Sequence, residues 1–301
     1  MNLRATVGGL LAIVLWSTSV ALARSVSRQL GPLSAAAVVY TFGGVVGLGW
    51  SLVRQPGAMR VMLGLPRRYL LGCGGLFVFY TAAFFLALGL AEDHQQSISL
   101  GLVNYLWPAL TILFSLPLLH VRASWVLVPG TLLGLAGIAV VLSQGQSIPL
   151  AAVPEAMGRN PVAFACALAA AVSWALYSNL ARRWAGAHSA GAVPLFVLVA
   201  GVLLVAMSGL RSEGGCFAIP ALVEAGLMGL TVPIAYACWD RAMRQGDMRL
   251  VSACSYLTPL LSTLVAAAYL RVTPPAGLWL GCAALVAGSL ASWWAVEHRA
   301  A

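Results

Sequence analysis

The chain is 301 residues long, 61% hydrophobic and only 8% charged, where an ordinary globular chain carries roughly 25% charged residues. So few charges could not cover a water-facing surface without large apolar patches, which excludes a cytosolic enzyme, a disordered chain and a fibrous repeat, and leaves an integral membrane protein in contact with membrane lipid. The formal charge is +9 and all 17 basic residues are arginine; they sit in short gaps between apolar runs rather than in a stripe, which fits membrane topology and not a nucleic-acid partner.

In chain order, ten runs are long and apolar enough to span a bilayer as helices: 5–23, 33–53, 69–90, 97–119, 125–143, 161–181, 192–210, 219–239, 250–270 and 275–296. Helices satisfy their own backbone groups in lipid, and the runs are too continuous for the alternation of an outer-membrane barrel. The connections are short and often marked by Pro or Gly, so residues 1–301 are expected to form one all-α transmembrane domain. The first run has a rival reading: Arg4, a long apolar stretch and Ala21-Leu22-Ala23 mimic a secretory signal with an A-x-A cleavage site. Its apolar core is long for a signal, and a later segment resembles it, so it is read as the first helix. With the N-terminus inside, Arg24, Arg28, Arg159, Arg211 and Arg271 fall outside and the other twelve arginines inside, Arg299 among them, which predicts both termini in the cytoplasm.

The ten runs read as two copies of five. Trp16 with Leu22-Ala23-Arg24 matches Trp174 with Leu180-Ala181-Arg182. Tyr105-Leu106-x-Pro108 matches Tyr256-Leu257-x-Pro259, and Gly130-x-x-x-Gly134 matches Gly277-x-x-x-Gly281, in the same order. Because five is odd, the second copy (about 158–301) must be inverted relative to the first (about 1–145). Inverted repeats are a hallmark of secondary transporters, whose substrate site lies near the midplane where the copies meet.

At these residues the chain resembles the drug/metabolite transporter superfamily, specifically its ten-helix EamA-type members, and among them the YddG-type aromatic amino acid exporters. The resemblance rests on Ala12-Ile13-Val14-Leu15-Trp16-Ser17-Thr18, on Gly101-Leu102-Val103-Asn104-Tyr105-Leu106-Trp107-Pro108, on Val128-Pro129-Gly130 and on Ser255-Tyr256-Leu257-Thr258-Pro259. The x-Tyr-Leu-x-Pro pattern belongs to the whole superfamily; the stretch from Asn104 to Pro108 is more specific. The resemblance implies ten helices around a central cavity, alternating access, and export of aromatic amino acids and related compounds across a bacterial inner membrane.

The chemistry of the spans narrows the solute independently. Related small multidrug exporters rely on a carboxylate in the middle of their first helix, where this chain reads Val14-Leu15-Trp16-Ser17-Thr18. Glu224 sits a turn into the eighth run, and Asp240 with Arg241 is expected at its cytoplasmic edge. The arginines cluster at span ends, which argues against a phosphate-bearing solute. What remains mid-span is aromatic and hydroxyl-bearing, Tyr236 included, and suits a ring-bearing, net-neutral solute. Tyr80, Trp107, Trp174 and Trp239 are expected to stack on it, with Trp16 beside them. Ser17, Tyr105, Tyr177, Asn179 and Tyr256 are expected to orient its polar end. Asn104 is a further binding candidate, with interhelical hydrogen bonding as the alternative role for both asparagines.

Pro108 and Pro259, in equivalent positions, are expected to act as hinges, while Pro233 is read as structural. Trp50, Trp125, Trp279, Trp293 and Trp294 are read as interfacial belt residues, and Tyr40 and Tyr69 are placed with them outside the site. The pairs Gly43/Gly47, Gly130/Gly134 and Gly277/Gly281 allow close helix approach. His94 is read as a solvated loop residue, and His120, His188 and His298 as span-end residues. Cys73, Cys166, Cys216, Cys238, Cys254 and Cys282 form no C-x-x-C pair and are expected to pack as small hydrophobes. No H-E-x-x-H, G-x-S-x-G or phosphate-binding glycine loop occurs, so the expectation is a monomeric transporter without metal or cofactor, and not an enzyme. A broad-specificity metabolite or drug exporter is the rival within the class, and a membrane receptor or scaffold the rival outside it.

Overall fold

The computed structural model describes residues 2–142, 152–185, 191–211, 215, 217–270 and 276–296; His188, Cys216, Arg271, His298 and Arg299 lie outside them. Among the described residues the architecture is all-helical, with one isolated bridge between Ala123 and Val296 in place of any sheet. Seven helical stretches are long and apolar enough to cross a membrane, and three further apolar helices, Leu3–Ser19, Leu127–Val141 and Trp279–Trp294, are shorter by that measure. The chain is a multi-pass membrane protein.

The first helix, α1 (Leu3–Leu30), opens with the Asn2 side chain accepting from the Ala5 amide and ends at Gly31, whose φ of 83° is open to glycine at little cost. Pro32 then opens α2 (Pro32–Arg54), so the two helices turn back on each other with almost no loop. A short α3 (Ala58–Leu63) and a π-helical segment, Arg68–Cys73, lead into α4 (Gly74–Gly89). Asp93 caps α5 (His94–Asn104) by accepting from the Gln96 amide at 2.6 Å.

After α5 the chain breaks at Tyr105-Leu106 and resumes as α6 (Trp107–Leu119). Helices α7 (Leu127–Leu142), α8 (Ala152–Arg159), α9 (Pro161–Trp184), α10 (Val193–Arg211), α11 (Ile219–Gln245) and α12 (Met248–Cys254) follow. A second break, the 3-10 turn Ser255–Leu257, precedes α13 (Thr258–Leu270), and α14 (Ala276–Trp294) ends the bundle. Pro108 and Pro259 therefore stand just after a local break, within apolar helical stretches that run on as Gln95–Leu119 and Met248–Val265. There the missing amide would have had no helical partner, so proline is tolerated.

Close approach is built from glycine. A Cβ on Gly43 of α2 would lie 2.6 Å from the Gly229 carbonyl of α11, and one on Gly288 of α14 would collide with the Gly134 amide of α7. Van der Waals packing through small residues is the main attraction between helices in lipid. Trp50, Trp125, Trp279 and Trp294 are exposed, as belt residues are. Tyr40 and Tyr69 are not: both are buried, Tyr40 in the inward face of α2 with Ala36, Val39 and Gly43, and Tyr69 on the first π-helical turn. Distance from the end of an apolar run misplaces them because helix rotation, not depth, decides which way a ring points. Cys73 and Cys282 are buried and Cys166, Cys238 and Cys254 half-buried, all as free thiols.

Candidate functional site

A cavity of about 540 Å³ opens between α1, α2, α4, α5, α6, α9, α11 and α13, within the size range of small-molecule sites. On α1 its wall runs from Trp16 through Ser19, Ala23 and Ser27 to Arg28, a climb of about 18 Å at helical rise. Leu88, Ser97 and Ile98, from the facing ends of α4 and α5, complete the mouth. Among the described lining residues Arg28 is the only charged one, and it is exposed at that mouth. The lining ends at Trp16, Trp107, Trp174 and Tyr236, and beneath them Tyr177, Trp239 and Asp240 are buried, so among the described residues the cavity is closed at that end and open at the other.

The floor is an aromatic lattice centred on Trp174. Its ring lies 4.7 Å from Tyr80, 5.5 Å from Tyr236, 5.9 Å from Trp16 and 6.3 Å from Trp107 between centroids, mostly in edge-on or tilted arrangements. Such geometries match the positive edge of one ring to the negative face of the next. Trp239 lies beneath, 5.3 Å from Trp16 and 5.2 Å from Trp107, and donates through Nε1 to Ser178 Oγ at 3.2 Å. Higher in the cavity, Phe84 and Phe85 add apolar surface, and the Tyr40 and Tyr236 hydroxyls share a 2.5 Å hydrogen bond.

Of the residues expected to bind the solute, Trp16, Tyr80, Asn104, Tyr105, Trp107 and Trp174 line the cavity. The Asn104 side chain is 6% exposed, and its Oδ1 is buried with no hydrogen-bond partner. Ser17, Tyr177, Asn179, Trp239 and Tyr256 sit behind the wall. Ser17 Oγ donates to the Ile13 carbonyl at 2.7 Å, and Asn179 Nδ2 donates to the Thr111 and Ala175 carbonyls, both at 2.9 Å. Tyr256 is fully buried against Gly134.

Tyr40, Phe84, Phe85 and Arg28 are lining residues that sequence reasoning left out, and Tyr236 was seen as a mid-span aromatic without being given a role. A usable signal existed for Tyr40: Pro32, Ala35, Ala36, Val39, Tyr40 and Gly43 recur at three- and four-residue spacing on one face of α2.

A second polar cluster lies at the closed end. Asp240 is not at an exposed edge: it is 1% exposed, because α11 continues to Gln245 and carries it into the bundle. Its Oδ2 receives Arg244 Nε at 2.7 Å, and its Oδ1 receives the hydroxyls of Tyr69 at 3.0 Å and Tyr177 at 2.9 Å. Glu224, near the start of α11, is half-buried, with Oε2 buried and unpartnered. No group of three or more potential metal-ligating side chains occurs among the described residues.

The profile of the EamA-like transporter family matches residues 3–143 and 162–294. The chain is 34% identical over 299 residues to the aromatic amino acid exporter YddG of Escherichia coli K12, covering 98% of both chains. It is 33% identical to the exporter of that name from Salmonella typhimurium, covering 98% of this chain and 99% of the relative. To the one from Ancylobacter novellus it is 35% identical over 293 residues, covering 95% of each. A solved crystal structure superposes with a TM-score of 0.76 at 33% identity, over 96% of each chain. The architecture and the pairwise identities agree along nearly the whole length, and the chain belongs to the EamA-like transporter family.

Proposed function

We propose that this protein exports aromatic and other largely neutral amino acids from the cytoplasm by alternating access around the aromatic cavity. The observation that carries the reading is the one-sided cavity of about 540 Å³ floored by Trp16, Trp107 and Trp174, in a chain 33–35% identical to proteins named aromatic amino acid exporters. A mostly apolar wall with a few hydroxyls and one charge at its mouth favours a ring-bearing solute without net charge. Trp16, Tyr80, Trp107 and Trp174 are the stacking surfaces; Asn104, Tyr105, Tyr40 and Tyr236 surround the polar end. Ser17, Tyr177, Asn179, Trp239 and Tyr256 hold that wall from behind.

The working architecture is ten spans in two inverted five-helix repeats, about 1–145 and about 158–301. The family profile matches twice along the chain, and the two helix breaks stand at corresponding places, one ahead of Pro108 and one ahead of Pro259. Those breaks are where the flanking helices would pivot. The arginine distribution puts both termini in the cytoplasm of a bacterial inner membrane, so the cavity mouth beside Arg28 faces outward. Ten helices enclose a path within one chain, so the working unit is a monomer, taking a small-molecule solute and needing no cofactor.

The test is uptake of radiolabelled phenylalanine into proteoliposomes without an imposed proton gradient, with unlabelled Phe, Trp, Thr and Lys as competitors. Uptake above empty liposomes, suppressed by Phe and Trp and not by Lys, is the expected result. Equal suppression by all four would replace the aromatic preference with broad metabolite export. No uptake with or without a gradient would remove the substrate assignment.

A further inference from the structure

The Asp240 cluster ties one buried carboxylate to three side chains, and none of the four residues lines the cavity. Asp240 and Arg244 come from α11, Tyr177 from α9 and Tyr69 from the π-helical segment ahead of α4, so one carboxylate joins three elements. π-Helical turns are rare and recur at functional positions. The segment ahead of α10 closes over the cluster: a Cβ on Gly191 would stand 2.6 Å from Asp240 Oδ2 and 2.9 Å from an Arg244 nitrogen. The Ala192 amide also donates to the Tyr69 oxygen at 3.4 Å.

The place of the cluster matters as much as its make-up. Tyr177 lies one turn of α9 beyond Trp174, and Asp240 follows Trp239, so the aromatic floor separates the cluster from the cavity. Further out at the same end, the last turn of α11 is tied to its neighbours. Arg182 donates to the Met243 carbonyl at 2.7 Å and to the Gly246 carbonyl, and the Asn2 amide donates to the Gln245 carbonyl at 3.0 Å. A path from the cavity that runs between α9, α11 and the Tyr69 segment has to break the cluster.

We infer that Asp240, Arg244, Tyr69 and Tyr177 are the latch that holds the closed end of the transport path shut. This rests on the transporter reading above. A buried ion pair adds little net stability, because desolvating both charges offsets most of their attraction, yet breaking it on one side only is costly. Such a pair fixes one closed geometry without making it a deep well. When the end opens, water reaches carboxylate, guanidinium and both hydroxyls together, and the charges recover their hydration. An apolar plug of equal volume would instead expose its surface to water on every cycle, which is unfavourable throughout. The cluster thus has the properties of a two-state element that can be made and remade.

Cys73 supplies the reporter. It is fully buried, one turn further in than Tyr69, and water arrives there only when the latch parts. In a variant keeping Cys73 as its sole cysteine, alkylation by a hydrophilic maleimide is followed in the purified protein with no solute present. Each hydroxyl bonded to a charged group is worth about tenfold or more in the closed-to-open ratio. Tyr69→Phe/Tyr177→Phe is therefore expected to label at least about tenfold faster than its parent.

Labelling within about twofold of the parent in the double variant overturns the latch, as does acceleration that only tracks a falling unfolding temperature. The double variant retains both charges, so the charge facing Cys73 is unchanged and faster labelling reports access. Because no solute is used, a latch that fails here leaves the substrate assignment standing, and silence in the uptake assay leaves the labelling result standing.

Discussion

The hydroxyl oxygens of Tyr40 and Tyr236 lie 2.5 Å apart where α2 meets α11 on the cavity wall. The Tyr80 hydroxyl also stands beside Tyr236 and the Thr81 hydroxyl beside Tyr40, so these residues form a small hydroxyl network on the wall that can meet the polar end of a solute. The Tyr40–Tyr236 pair also links the helix carrying Arg54 to the helix carrying the Asp240 latch.

Tyr236→Phe removes one hydroxyl and keeps the ring, which packs 4.9 Å from Phe77 and 5.5 Å from Trp16 between centroids. The loss is therefore confined to hydrogen bonding, about 0.5–1.5 kcal/mol. The KM for phenylalanine uptake is expected to rise about two- to tenfold, with kcat and unfolding temperature near the parent's. A KM unchanged in both Tyr236→Phe and Tyr40→Phe would make the pair a structural link between helices and nothing more.

Asn104 behaves differently because its Oδ1 is buried without a partner. An unsatisfied buried acceptor costs about 1–3 kcal/mol, and here that cost falls on the conformation with the mouth open. Asn104→Leu keeps the volume and removes both the unpartnered acceptor and the amide that stands beside the Tyr80 hydroxyl. Because Asn104 lines the cavity at the solute's polar end, the expected outcome is an unfolding temperature near the parent's and a KM for phenylalanine raised about two- to tenfold. A lower unfolding temperature with unchanged KM would show that the amide serves packing alone.

Much of this was legible in the sequence, for reasons that also explain what was not. The apolar runs mark the helices because lipid tolerates little else, and Trp16, Trp107 and Trp174 were found because aromatics at mid-depth, on matching motifs, have few other places to face. Hydropathy ended the eighth run at 239, where the charged residues begin; α11 continues to Gln245 because Asp240 and Arg244 satisfy each other inside the bundle. A residue scale cannot see that pairing. Tyr177 and Trp239 have the right type and depth for solute contact, but Tyr177 donates to Asp240 and Trp239 to Ser178. Such commitments depend on which faces the helices turn to each other, and a single sequence with a 3.6-residue period leaves several rotations open.

Gly101 offers the most direct control over solute size. It lies on α5 in the cavity wall, and a Cβ built there meets nothing within 4 Å. A side chain at this position enters the cavity instead of a neighbouring helix, and alanine would also gain about 1 kcal/mol in helix propensity over glycine. Gly101→Ala is expected to fold at least as well as the parent. Gly101→Leu takes up space near the rings, so tryptophan should lose far more than threonine, with the ratio of their kcat/KM values falling about tenfold or more. Gly75 on α4 is the control: it is exposed, its Cβ direction is equally open, and it does not border the cavity. Gly75→Leu should leave that ratio where it was, and equal losses for both solutes in Gly101→Leu would mean that the solute does not pass this face of α5.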